Sequence, residues 1–306
     1  MRIASVNPGR EHRKSPNRVG GAPKILEGIN TLFDPTLIGR NLTEPMTIWN
    51  DRQTLSVSIF GTKVRTCDEQ QTSIGASSAI DIAVWDIPGK FKGLPICNLL
   101  SGAIQSQVKV CEDVSLDDLW VQQFSSNSPS KLRAELKATS STGACLSVEA
   151  FKQHSKDEPR PSVPVAWSEQ EWEGKKLCDG MAGGDIDILR PKVILCGGFT
   201  ALLQIIPSAN SHGMLVVPFC SSVYGSGITL VATTQASAAV LWNRVKPEQE
   251  INPKEPIIKL SPYSSSCRNE FLVKKIGVSS GYLGVPERPG LGTTVDEQVW
   301  SRLTVS

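Results

Sequence analysis

The stretch "CGGFTALLQIIPSANSHGMLVVPF", Cys196–Phe219, reads as the helix and closing strand of a β-α-β unit. Phe199 to Ser211 makes the helix, with a proline inside it, and "GMLVVPF" makes the strand. A parallel strand of this kind presents a catalytic side chain at its carboxyl end. Here that place holds Phe219, whose phenyl ring cannot move a proton. The rhythm continues on both sides. Upstream, "SVPVAW" reads as a strand, "EGKKLCDGMAGG" as a helix ended by glycine, and "DIDILRP" as the next strand. Downstream, "GSGITLVATTQASAAVLW" is a Gly-led helix and "EPIIKL" a strand. Strands alternating with helices predict a parallel sheet covered by helices.

Before Ser162 the pattern is less regular. "QVKVC" at residues 107–111 is a strand. "TSIGASSAIDIAVWDIPGKFKGL" is a helix whose Ile80, Ala83, Val84 and Ile87 share a face, interrupted at Pro88 and Gly89. "ILEGINTLF" and "MTIWNDRQTL" have helical spacing. Residues 7–24 are polar, basic and rich in Pro and Gly, and read as a loop. From Glu112 to Pro161 the signal dissolves, with only "KLRAELKA" and "VEAFKQH" as short helical candidates. The tail "SSGYLGVPERPGLG" is a short strand followed by a Pro/Gly turn.

The totals narrow the function classes. A net charge of +2 argues against nucleic acid or a membrane surface as the main partner. No apolar run approaches the ~20 residues of a membrane span. "MRIASVNPGREHRK" lacks the apolar core of a signal peptide, so a cytoplasmic protein is the expectation. Eight cysteines are scattered with no C-x-x-C pair, which predicts buried free thiols in a reducing compartment.

Three blocks, "SAIDIAVWDIPGKFKGLPICNLLSG", "GDIDILRPKVILCGGFTALLQIIPSANSHGMLVVP" and "GYLGVPERPGLG", resemble the enolase superfamily in its mandelate racemase and muconate lactonising branch. The wording around "INPKEPI" is most similar to that branch's sugar-acid cycloisomerases and dehydratases. The resemblance implies an α+β capping domain followed by a (β/α)7β TIM-like barrel, whose C-terminal tail returns to the cap. It implies abstraction of the proton next to a carboxylate of a sugar acid. It also implies a Mg²⁺ held by three carboxylates, which stabilises the enolate.

Carried over residue by residue, the resemblance gives Glu169 the third metal position, with Glu171 a weaker choice. The Asp-x-Asn and Glu-Glu-Pro strand ends of the other two ligands are not found, nor is a Lys-x-Lys strand; "ELKATSS" offers only Lys137. After "DIDILRP" the pattern expects an Asp that orients a catalytic His, and Lys192 stands there. After "LVVP" it expects the His, and Phe219 stands there. In "EPIIKL" it expects an acid, and Lys259 stands there. The His–Asp pair has thus been replaced at both positions.

The remaining candidates have plainer readings. His212, in "SHG", lies at the turn entering its strand, away from the chemistry, and His12 and His154 lie in polar loops. Asp81 and Asp86 read as solvated or capping rather than catalytic. The "GSG" at Gly225–Gly227 would bind an anion through its amides or simply start a helix.

Length adds an independent expectation. Gln107 to Glu270 holds 164 residues, against ~250 for a full TIM barrel. The expected organisation is a shortened, mainly helical cap at 1–105, a partial barrel at 106–270 holding the family's first, fifth, sixth, seventh and eighth strands, and a return segment at 271–306. An opened barrel exposes strand edges and apolar interior side chains, which predicts marginal stability, association with another chain or an altered packing. Three functional readings follow. The first is a Mg²⁺-dependent sugar-acid enzyme, catalytically impaired here. The second is a non-catalytic remnant or a metal-independent binder of small carboxylates through Lys192 and Lys259, set against both lysines extending to solvent. The third makes Lys192 a base, which requires desolvation or a cationic neighbour.

Overall fold

Parallel pairing in chain order organises the barrel. The computed structural model describes residues 37–51, 67–101, 105–112, 146–147, 165–167, 188–220, 226–239, 256–260 and 272–298. Strands β1 (Gln107–Glu112), β2 (Leu146–Ser147), β3 (Val165–Trp167), β4 (Ile188–Leu189), β5 (Leu215–Val216), β6 (Phe219–Cys220) and β7 (Ile257–Leu260) supply its wall. β2, β3, β4 and β5 pair in that order, all parallel. β5 and β6 are two halves of one strand interrupted at Val217 and Pro218. β5 pairs with β4 and β6 with β7, so the strand passes from one sheet to the other. β7 then pairs with β1, also parallel. The first strand therefore lies beside the last, as when a parallel sheet curls toward closure.

β4, β5 and β6 are buried throughout and β7 nearly so, as in a parallel sheet covered on both faces, whereas in β1 Val108 is buried between exposed Gln107 and Lys109. The described wall has six parallel strands, against the five expected. The additional one, β2, lies in the span where the sequence showed no strand. Helix α1 (Cys67–Lys92) and the short α2 (Ile96–Ser101) precede β1. Helix α3 (Gly198–Ser211) joins β4 to β5, and α4 (Gly227–Ala239) follows β6. Ser226 starts α4: its hydroxyl accepts from the Thr229 amide and its carbonyl from the Leu230 amide. This is an ordinary helix cap, so the helix-start reading of "GSG" needs no anion.

Pro88 and Gly89 do not interrupt α1, contrary to the sequence expectation. The helix runs on to Lys92 and closes at Gly93, which takes φ +70°. Leu94 donates to the Gly89 carbonyl and Gly93 to the Lys90 carbonyl, the paired bonds of a glycine-terminated helix. Packing holds the last turn: a Cβ on Gly89 would lie 2.7 Å from the Gly290 Cα of the tail. The single apolar face expected for α1 is also too simple. Ala76, Ile80 and Val84 pack with Leu37 and Ile48, whereas Ile82 and Trp85 join the barrel core around Phe199 and Leu202. Such a helix is apolar on two sides because it lies between two layers.

The tail forms a hairpin, β8 (Val278–Ser279) and β9 (Tyr282–Gly284), and β9 pairs antiparallel with the first half of β1. It continues to the first helices: Ile96 donates to the Gly290 carbonyl and Leu291 to the Asp86 carboxylate. The expected loop at 7–24, "ILEGINTLF", "EGKKLCDGMAGG", "KLRAELKA" and "VEAFKQH" lie outside the described residues. Among the described residues, no helix is long and apolar enough to cross a membrane.

Cys97, Cys196 and Cys220 are free and buried, as the scattered pattern predicts. Burial pushes the Cys196 thiol up from 9.0 to about 12, and the negative charge of Asp81 adds to it. The unfolded thiol ionises near pH 9.0 while the folded one stays protonated. The stability Cys196 contributes is therefore complete below that pH and is lost as pH rises toward 12. Relative to Cys196→Ala, the wild type should lose up to about 1.4 kcal/mol per pH unit across that window. Denaturant unfolding at stepped alkaline pH measures it, and parallel curves for the two proteins would refute it.

Candidate functional site

Because the wall strands are parallel, their carboxyl ends share one rim, and three residues meet there. β4 ends at Leu189, and Arg190 and Pro191 lead to Lys192. The Lys192 carbonyl accepts from the Leu195 and Cys196 amides, which turns the chain toward α3. On the adjacent strand Phe219 donates to the Pro191 carbonyl at 3.0 Å. On the next, Lys259 donates to the Pro218 carbonyl at 3.0 Å and is in register with Phe219. The backbone ladder thus sets Lys192, Phe219 and Lys259 side by side on three adjacent strands.

The side chains converge. The Lys192 Nζ lies 5.0 Å from the centroid of the Phe219 ring and the Lys259 Nζ 4.9 Å. Both distances suit attraction between an ammonium and the negative face of a ring. All three residues are buried, with Lys192 at 8% exposure and Lys259 at 3%. The alternative in which both lysines extend to solvent is therefore wrong. The Phe219 ring gives both ammonium ends a favourable surface inside. The Lys192 and Lys259 ammoniums thus share one ring.

A magnesium ion needs several oxygen ligands. The three rim positions present two ammoniums and a phenyl ring, which do not fit a divalent cation. Among the described residues no group of three or more His, Cys, Asp or Glu could hold a metal. Glu169 and Glu171 lie beyond β3, outside the described residues, as do His12, His154 and Lys137.

His212 sits where the sequence placed it, at the end of α3 before β5, on the opposite rim. It is exposed, and its Nδ1 lies 2.8 Å from the Ser208 carbonyl of its own helix. Asp81 is a residue the sequence read as solvated or capping. It is buried on α1, and its carboxylate accepts from the Thr200 amide at 3.0 Å. It therefore caps α3 from another helix, where the capping position itself is Gly197 with φ +106° and no side-chain bond. Ser78 accepts from the Gly197 amide and Trp85 donates to the Thr200 hydroxyl, which completes the joint. The capping reading of Asp81 holds, with the capped helix far away in sequence. The only sequence signal is an acid inside an otherwise apolar helical segment. Asp86 accepts from Leu291 and pairs with Lys90 at 2.6 Å.

Comparison with known proteins agrees with this architecture over most of the chain. The family described as "Mandelate racemase / muconate lactonizing enzyme, N-terminal domain" matches residues 15–101, and "Enolase C-terminal domain-like" matches 145–299. D-galactarolactone cycloisomerase of Agrobacterium fabrum is 24% identical over 317 aligned positions, covering 85% of this chain and 80% of the relative. Arabinonate dehydratase of Saccharolobus solfataricus is 25% identical over 45% of this chain and 33% of its own length. Among solved structures, 3,6-anhydro-D-galactonate cycloisomerase from Zobellia galactanivorans superposes with a TM-score of 0.66 at 20% identity, covering 94% of this chain and 89% of that one. A mandelate racemase/muconate lactonizing protein from Paracoccus denitrificans, complexed with magnesium, gives 0.64 at 17% identity, covering 91% and 86%.

Proposed function

The chain belongs to the mandelate racemase and muconate lactonizing branch of the enolase superfamily, and from that premise we propose that it accepts a small sugar acid at the barrel rim but is impaired in the family's proton transfer. One observation carries this reading: the rim positions where the family resemblance expects Asp, His and an acid hold Lys192, Phe219 and Lys259, packed together. Proton abstraction at neutral pH needs a group that titrates there and a partner that orients it. A phenyl ring has no such proton, and an ammonium cannot orient an imidazolium. The substrate class rests on similarity to a galactarolactone cycloisomerase and an arabinonate dehydratase.

The same reading includes an incomplete (β/α)7β barrel at 106–270 with a shortened cap at 1–105, a return segment at 271–306, a cytoplasmic location, and association of copies through the open edge. Its metal component is Glu169 alone. A single carboxylate does not hold Mg²⁺ by protein contacts, so no step is assigned to the ion. Proton NMR of galactarate in D₂O, with added Mg²⁺, tests the proposal. The expected result is no exchange of the hydrogen next to the carboxylate above the buffer rate. Exchange abolished by EDTA would establish metal-dependent catalysis instead. Exchange that survives EDTA and disappears in Lys192→Met would establish a lysine base.

A further inference from the structure

We infer that Trp49 is a latch: through the Gly197 carbonyl it relays the position of the helical turn at residues 45–51 to the rim turn that carries Lys192. The latch is a property of the joint between the N-terminal segment and the barrel. It depends neither on the substrate class nor on the impaired proton transfer.

The rim turn is tied to itself. The Lys192 carbonyl accepts from the Leu195 and Cys196 amides at 2.8 and 2.9 Å, and the Val193 carbonyl from the Gly198 amide at 3.1 Å. A displacement at Gly197 is therefore passed on to Lys192 rather than absorbed between them. Both backbone groups of Gly197 are held from outside the barrel. Its amide donates to the Ser78 hydroxyl at 3.0 Å, and its carbonyl accepts from the Trp49 indole N–H at 3.3 Å. Glycine permits this approach: a Cβ on Gly197 would lie 2.9 Å from the Ala201 Cβ and 3.8 Å from the Trp49 Nε1. Gly197 and Gly198 take φ +106° and +86°, a pair without side chains at which the turn can shift relative to α3 without bending the helix.

Trp49 differs from the other members of the joint. Ser78, Asp81 and Trp85 all project from α1, are buried, and make bonds of 3.0, 3.0 and 2.8 Å. Trp49 comes from a separate element, is half-buried, and makes the longest of the four bonds. Its N–H can exchange the Gly197 carbonyl for water at little cost, so it opens first. With the latch closed, Lys192 lies on the Phe219 ring; with it open, the turn is held from α1 alone. Whatever moves residues 45–51 is thereby felt at the rim.

NMR of the full chain carrying lysine labelled with ¹³C at Cε is the test. The Phe219 ring should shift the ε-protons of both lysines upfield, since their Nζ atoms lie 5.0 and 4.9 Å from its centroid. Lys192→Met and Lys259→Met assign the two signals. Trp49→Phe keeps an aromatic ring but has no N–H to donate. It should lose much of the upfield shift at Lys192 and leave Lys259 where it was. Hydrogen exchange of the Gly197 amide should rise about fivefold, the equivalent of one ordinary hydrogen bond. Ser78→Ala removes the other hold on Gly197 and should produce the same selective change at Lys192. Asp86→Ala is the control. It cuts a bond from α1 to Leu291 of the tail, and should leave the Lys192 signal unmoved.

The latch is refuted if folded Trp49→Phe keeps the wild-type Lys192 signal, if both lysines move together, or if Asp86→Ala moves Lys192 as far. Either of the last two outcomes makes Trp49 a general structural contact rather than a relay. Should Trp49→Phe fail to fold, Ser78→Ala decides by the same three criteria. No ligand is added, so the result stands whether or not galactarate exchanges its hydrogen in D₂O.

Discussion

Gly198→Ala is expected to lower the unfolding free energy by about 3 kcal/mol or more, combining left-handed backbone strain with displacement of a helix cap. Gly198 has φ +86°, where an L side chain is strained. An added methyl would also stand 2.6 Å from the Asp81 Cβ and against its carboxylate, which caps α3 through the Thr200 amide. The methyl can be accommodated only if the carboxylate moves and the cap is lost. Asp81→Ala removes the carboxylate part of the obstacle, leaving the Cβ contact, and loses the cap directly, at about 1–2 kcal/mol. The double variant should therefore be less destabilised than the sum of the two singles, because both damage one interaction. Urea unfolding followed by tryptophan fluorescence reads this well, since Trp49 and Trp85 both bond to the joint. Strict additivity would show that the Asp81 contact does not limit what Gly198 can become.

The joint explains which parts of the fold were legible from the chain. Buried parallel strands read as apolar runs, and Gly or Pro punctuates them, so the rhythm after Ser162 was visible. β2 was not. With only Leu146 and Ser147 in the ladder, it is defined by its neighbour β3 rather than by its own pattern. Pro88 misled for a related reason. A proline removes one hydrogen bond of a helix, but the turn around it is held by the tail near Gly290, which local sequence does not contain. At the site, sequence named Lys192, Phe219 and Lys259 but not the direction of their side chains. Solvent exposure is the ordinary fate of lysine. Only the register of β6 on β7, and the turn after β4, bring both ammoniums to one ring. Asp81 likewise acts across 119 residues of sequence, beyond any local pattern.

Gln235→Leu should be comparably damaging, at about 2–4 kcal/mol, because it removes the side-chain partner of three backbone groups, the Cys97 amide and the Pro286 and Leu291 carbonyls. Gln235 is fully buried on α4. Its Oε1 accepts from the Cys97 amide at 2.9 Å, and its Nε2 donates to the Pro286 carbonyl at 2.9 Å. One side chain thereby joins three elements: the barrel helix α4, the start of α2, and the returning tail. Leucine fills a similar volume, so packing loss is small and the penalty is electrostatic. The Cys97 amide and the Pro286 carbonyl would each remain desolvated, and water could reach them only if the tail lifted. Lifting has a readout distinct from global unfolding. Hydrogen exchange at the Cys97 and Leu291 amides should accelerate, and the tail should be cleaved sooner by protease, while the amides of β4 and β7 stay protected. Gln235→Met, equally apolar, should behave as leucine does, because neither offers an oxygen to Cys97 nor an N–H to Pro286. An unchanged melting temperature in both variants would mean that the β9–β1 pairing and the Asp86 and Gly290 contacts hold the tail without Gln235.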